Sequence, residues 1–344
     1  MKKILVIFMM SIFLLSTISA VMGTQVLSEE RLTTDSSGQY TPAIYGDIVV
    51  WTDYRNNNWD IYSYNLKTKQ DFQITTDTSS QEYPAIYGDI VVWTDYRMGE
   101  SDIYGYNLRT GQELPPICTY AGNQMNPAIY GDIVVWTDYR NNNWDIYGYN
   151  LKTGENLSIC TYAGYQMYPA IYGDIVVWTD YRMGTSDIYG YNLKTGENLS
   201  ICTHAGTQAN PAIYGDIVVW QDYRNGTSDI YGYNLKTGEG FQIRTDTSGQ
   251  YGLAIYGDIV VWYESGNSGW DLYGYNLRTG QEFPICTAAN DQMAPSIYCD
   301  RVVWEDWRNI NADIYLAYLD VSCGSKKSFP MQQFMKILGL GQQD

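Results

Sequence analysis

The sequence predicts an all-β fold, a seven-bladed β-propeller of four-stranded antiparallel blades whose ring is closed by an N-terminal strand completing the last blade. Three observations predict it. The Trp of a Val-Val-Trp core recurs at Trp51, Trp93, Trp136, Trp178, Trp220, Trp262 and Trp304, in steps of 42, 43, 42, 42, 42 and 42 residues. A fixed period of this size marks a repeat architecture. The Ile-Val-Val-Trp runs of the first six copies are apolar throughout rather than alternating, which calls for burial on both faces. Finally, Arg31-Leu32-Thr33-Thr34-Asp35 anticipates Gln73-Ile74-Thr75-Thr76-Asp77, the fourth strand of the first copy, and the last copy stops after its third strand.

One copy shows how each element arises. In the third, Asn126–Tyr130 reads as strand a, and Gly131-Asp132 as a tight turn in which Gly supplies positive φ. Ile133–Tyr139 is strand b, rich in β-branched and aromatic residues. After the loop Asn141-Asn142-Asn143, Asp145–Leu151 forms strand c; a turn at 152–155 leads to strand d, Asn156–Cys160. Residues Val26 to about Thr34 then supply the strand d that the last copy lacks. The pairing removes the open seam that an open solenoid, the rival architecture, would keep.

Residues 1–23 read as a secretory signal peptide: Lys2-Lys3, an apolar Ile4–Leu15, then small residues with cleavage after Ala20 or Gly23. An uncleaved anchor is the alternative, but the apolar run is short for a span. Residues 24–320 form the propeller, and 321–344 a C-terminal tail in which Ser328–Leu340 has a short helical pattern. No membrane span is expected once the signal is removed.

The formal charge of −17 excludes the basic stripe that a nucleic-acid partner needs. Cys118, Cys160, Cys202 and Cys286 share one position near the end of strand d, too far apart for bridges and not clustered for zinc. Cys299, which replaces the turn Gly of the last copy, and Cys323 are the one plausible pair. Asn156-Leu157-Ser158, Asn198-Leu199-Ser200 and Asn225-Gly226-Thr227 match the N-glycosylation triplet.

Positions that vary between copies are those free to recognise something. The a–b and c–d turns are monotonous, whereas the d–a and b–c loops, at the other end of each blade, differ. A Gln opens every copy: Gln39, Gln81, Gln124, Gln166, Gln208, Gln250 and Gln292, expected to ring the channel mouth or to tie down the d–a loop. Beside them lie Tyr40, Glu82, Tyr83, Met125, Asn126, Met167, Tyr168, Asn210, Tyr251 and Met293; the b–c loops add Trp59, Trp144 and Trp270. Aromatic, Met and amide side chains around a channel mouth suit a glycan or a peptide. Acidic residues recur in every copy with Arg two residues behind, as in Asp53-Tyr54-Arg55, and read as loop-fixing ion pairs rather than a calcium loop. The only histidine is His204, no Gly-x-Ser-x-Gly is present, and the carboxylates recur blade after blade, so no enzyme, metal or cofactor is expected.

Asp-Tyr-Arg-Asn followed by Asp-Ile-Tyr-x-Tyr-Asn-Leu-x-Thr-Gly, with Val-Val-Trp upstream, resembles the repeats of TolB-like propellers, and especially those of cell-surface proteins of methanogenic archaea. The resemblance spans about residues 26–320 and implies a secreted or surface propeller working through envelope contacts. The expectation is therefore a non-catalytic binding module for an envelope protein or glycan. A structural envelope component is the alternative, and a polysaccharide-acting enzyme the more distant one.

Overall fold

In the computed structural model, which describes residues 23–266 and 268–323, twenty-eight strands form seven four-stranded antiparallel sheets. Blade one comprises strand a Gln39–Tyr45, b Ile48–Asp53, c Asp60–Asn65 and d Gln70–Gln73. Blade seven takes a, b and c from Gln292–Tyr298, Arg301–Asp306 and Asp313–Leu319, and its outer strand from Val26–Arg31 at the other end of the chain. Glu29 stands opposite Ala317 and Arg31 opposite Tyr315 in that closing ladder. The expected signal segment, apart from Gly23, and the expected helix at 328–340 lie outside the described residues.

The third copy folds as its sequence pattern predicts, to within one or two residues at the strand ends. Its strand a begins at Gln124, because the ladder continues through an irregularity. Blade two departs more: its strand d is only Gln112–Glu113, since Pro115 and Pro116 have no N–H to donate, and pairing resumes as a single bridge between Ile103 and Cys118.

Burial on both faces explains the apolar runs. Val49, Val50 and Trp51 are fully buried, as are their counterparts in the next blades, because the sheet is sandwiched between neighbours: Trp51 packs with Val303 and Ile314 of blade seven, while Val50 packs with Val91 and Trp93 of blade two. The indole N–H of each of the seven Val-Val-Trp tryptophans is satisfied within its own blade. Trp51 Nε1 donates to Asp53 Oδ2 at 2.8 Å; Arg55 donates to Asp53 Oδ1 from both its backbone N and its Nε, and lies 4.0 Å over the Tyr62 ring. The same clamp recurs in five more blades, from Asp95–Arg97 to Asp306–Arg308.

Blade six has Glu264 for the Asp and Gly266 where the Arg would stand. Trp262 still donates to Glu264, at 2.9 Å, but the guanidinium comes from Arg244 on strand d of blade five, 3.3 Å away. Arg244 occupies the position that holds Cys118, Cys160, Cys202 or Cys286 in other blades. Those four thiols are free and sit beside the next blade's Arg, as in Arg308 Nη2 to Cys286 Sγ at 2.9 Å. Burial pushes Cys118 and Cys286 up to about 12 and Cys160 up to about 11. Cys299 and Cys323 are joined, pinning the segment after the last strand to the a–b turn of blade seven. That turn needs a left-handed residue, and Cys299 adopts φ +62° where other blades use Gly.

Candidate functional site: a cup at the channel mouth

Strand a of each blade lines the channel, each next to the strands a of its neighbours. At the end nearer the a–b turns the last residue of each strand a is a Tyr. Tyr45, Tyr87, Tyr130, Tyr172, Tyr214, Tyr256 and Tyr298 form a closed collar with ring centroids 4.5 to 4.9 Å apart. Burial, and then the neighbouring phenols, raise Tyr45, Tyr130 and Tyr214 well above the ordinary tyrosine value. The Tyr of the Tyr-Gly-Asp turn, monotonous in sequence, thus rings one end of the channel.

At the other end each strand a carries a bulge. Met125 pairs with Thr137 and Ala128 with Val135, so Asn126 and Pro127 together face Trp136. The same shift occurs in all seven blades. Its first residue is left-handed in every blade, with φ from +49° at Ala294 to +61° at Gly252. For the non-glycine residues that conformation costs roughly 1–2 kcal/mol each, least for the two Asn. The bulge turns this residue and the next, Pro in six blades and Leu253 in the sixth blade, toward the axis, where they line a cavity of about 560 Å³. That volume is within the usual range for ligand pockets, about 300–1,000 Å³.

The cavity gathers some of the sequence-predicted residues and not others. Tyr83, Asn126, Tyr168, Asn210 and Tyr251 line it. Tyr40, Glu82, Met125, Met167 and Met293 are half-buried one position earlier, outside the lining. Tyr40, for example, packs edge-on against Trp59 at 5.3 Å and against Trp307 at 5.7 Å. The glutamines do not ring the mouth. Gln39, Gln81, Gln124, Gln166, Gln208, Gln250 and Gln292 are all fully buried. Six of them donate into their own d–a loops, as Gln166 Nε2 does to Gly164 O at 2.8 Å. Trp59, Trp144 and Trp270 back the wall instead of lining it; Trp144 lies 4.8 Å from Tyr139, and Trp270 is edge-on to Tyr251 and Tyr263.

One column beside the cavity was missed in the sequence. The residue after Val-Val-Trp is Thr52, Thr94, Thr137 and Thr179 in the first four blades, then Gln221, Tyr263 and Glu305. Gln221 and Tyr263 line the cavity. Gln221 accepts from Asn210 Nδ2 at 2.5 Å and donates to Gln250 O at 3.0 Å. Glu305 is 7% exposed, and its Oε1 accepts the N–H of Thr41, a lining residue, at 2.7 Å. Burial pushes its carboxyl up to about 7. Burial also raises Glu82. The lining contains no Lys, Arg or His. The signal was available as a column in which one blade of seven carries an acid.

No family profile and no curated protein sequence matches this chain. Solved structures do resemble it. The β-propeller domain of the Trilobed protease from Pyrococcus furiosus aligns at TM-score 0.65 and 14% identity, covering 86% of this chain and 97% of that one. An oligogalacturonate lyase in complex with manganese gives TM-score 0.63 and 16% identity over 86% of this chain and 96% of the other. TolB from Acinetobacter baumannii gives 0.49 and 16%, over 61% and 55%. At such identities the likeness of the first two establishes the fold, and the chain is a β-propeller whose chemistry has to be read from its own cup.

Proposed function

We propose that this propeller is a secreted or cell-surface, non-catalytic binding module that takes a glycan of the envelope into the cup. The observation that carries the reading is the lining itself: Tyr83, Tyr168 and Tyr251 offer flat apolar faces beside the amides of Asn126, Asn210 and Gln221. Sugars have the matching surface, with C–H faces that stack on aromatic rings and hydroxyls that exchange hydrogen bonds with amides. Tyr83 and Tyr168 are 46% and 43% exposed although their backbones are left-handed, so the fold holds two large aromatic rings at the mouth in spite of strain.

Export is supported by the charged and then apolar N-terminus and by the Cys299–Cys323 bond, a linkage that persists in oxidising compartments. The resemblance to repeats of methanogen surface proteins agrees with it.

The test is retention of envelope polysaccharide by immobilised protein, comparing the native chain with a Tyr83→Ala, Tyr168→Ala double variant. Both side chains are exposed and both backbones strained, so the variant should fold. Loss of at least about tenfold in affinity is expected from removing two stacking platforms. Equal retention by both proteins would remove the cup as the binding site and favour a structural envelope role.

A further inference from the structure

One wall of the cup, in blades five and six, is built differently from the rest. The left-handed bulge residue of blade six is Gly252, followed by Leu253 where the other blades have Pro. The residues after Val-Val-Trp in blades five and six are Gln221 and Tyr263, where the first four blades have Thr. All four of these residues line the cavity. Two of the changes fit each other: a Cβ on Gly252 would fall on the Tyr263 ring, so the glycine makes the room in which that ring lies. The ring is held in place, stacked on Tyr251 at 5.9 Å and edge-on to Trp270 at 5.5 Å.

Gln221 gives the same wall a polar group of fixed sense. The backbone carbonyl of Gln250 can only accept, so the Gln221 atom 3.0 Å from it is the amide nitrogen, and the Gln221 oxygen is turned to Asn210. Asn210 must then meet that oxygen with Nδ2, at 2.5 Å, which leaves Oδ1 to accept from elsewhere. Among the described residues no donor reaches Oδ1. The backbone of Asn210 is held as well, its N–H donating to Thr179 Oγ1 at 2.9 Å. Asn210 is exposed and lines the cavity. Asn126 takes the same bulge position in blade three, but has Thr137 where Asn210 has Gln221, and no such clamp orients its amide.

An acceptor of fixed sense discriminates between ligand groups. A sugar hydroxyl turns to suit either a donor or an acceptor, whereas the N–H of an acetamido group only donates. None of the residues lining the cavity is charged, so an ionised group entering it would lose water without gaining an opposite charge.

We propose that the wall of blades five and six sets the specificity of the cup, and that it takes a neutral sugar bearing an acetamido group, whose N–H donates to Asn210 Oδ1. The proposal rests on the reading of the cup as a glycan site and names the class of sugar. Tyr251 and Tyr263 supply the aromatic faces of this subsite, and Gln221 is a positioning residue that acts through Asn210.

The experiment is calorimetric titration at pH 7 with three tetramers of one linkage, built from N-acetylglucosamine, glucose and glucosamine. Native protein, Gln221→Thr, Asn210→Gly and the Tyr83→Ala, Tyr168→Ala variant are compared. Gln221→Thr restores the residue of four other blades, and Gly252 shows that a glycine is accommodated at the position of Asn210; thermal melting verifies both folds. The N-acetyl tetramer should bind native protein about tenfold more tightly than either of the others. Asn210→Gly should bring the N-acetyl and glucose tetramers within about twofold of each other, and Gln221→Thr should reduce the preference at least about threefold. Equal binding of those two tetramers by native protein, tighter binding of the free amine, or a preference that survives either variant would overturn the proposal. Binding of no tetramer would overturn it as well, while retention of envelope polysaccharide by the native chain and not by the tyrosine variant would still uphold the cup.

Discussion

Arg244 and Glu264 lie on adjacent blades and together rebuild a clamp that six blades make from a single loop. Glu264 is almost fully buried, and without Arg244 it would keep only the indole N–H of Trp262. Restoring the blade's own Arg is not open, because a Cβ on Gly266 would fall on the carboxylate of Asp271. Arg244→Cys, which returns the position to the residue of four other blades, should therefore destabilise the fold by roughly 2–3 kcal/mol. Adding Glu264→Gln should recover part of the loss. Urea midpoints of both variants measure this, and an unchanged midpoint in the single variant would mean that the pair contributes nothing.

Glu305 gives the protein a predictable response to pH. Its folded-state value, about 7, lies above its ordinary 4.5, so the folded chain holds the proton more tightly. The stabilisation is complete below the ordinary value and is lost as pH rises through about 7. A Glu305→Gln variant cannot ionise and escapes the loss. It should match the native protein near pH 5 and exceed it above pH 8, by roughly 3 kcal/mol from a shift of this size. A stability difference constant across that range would show that Glu305 is ionised in the folded state throughout.

The bulges carry a cost that can be measured directly. Ala294 sits at φ +49° with a side chain that gains little from the conformation. Ala294→Gly should raise stability by about 0.5–1 kcal/mol, the relief of strain offset by the greater freedom of an unfolded glycine. A lower melting temperature would place a packing role on that methyl group.

Thiol chemistry separates the six cysteines. Cys118, Cys160 and Cys286 are buried with raised pKa values, while Cys202 is half-exposed. Native protein at pH 7.5 should take up iodoacetamide slowly, with Cys202 first, whereas four thiols should react after unfolding without reductant. Replacing Cys323 by Ser opens the loop to Cys299 and should cost about 2–4 kcal/mol. Six reactive thiols in unfolded, unreduced protein would mean that the bridge does not form.

Periodicity made the fold legible because each of the seven copies repeats the same evidence. The double-faced burial of Val49-Val50-Trp51 follows from composition alone, and the closing strand from a five-residue echo of blade one. The site was only half legible. Alternation along a strand says that Met125 and Asn126 point to opposite sides, but which one faces the axis depends on a bulge that the sequence marks only as a residue before Pro127. The seven glutamines left two readings open, a ring at the mouth or ties for the d–a loops; their invariance pointed to the second, and they are fully buried with six tying down their own loops. Glu305 was hidden in a strand otherwise read as core, where one acid among threonines carried the information. The tyrosine collar was missed because side chains 42 residues apart in sequence meet only when the ring closes.

The collar has a consequence for the ring as a whole. Each of its seven tyrosines touches two neighbours, with centroids 4.5 to 4.9 Å apart, so no blade can tilt away from the axis without parting two aromatic contacts. Blades that could otherwise move singly are hooped at the axis as well as fastened at the rim by the closing strand.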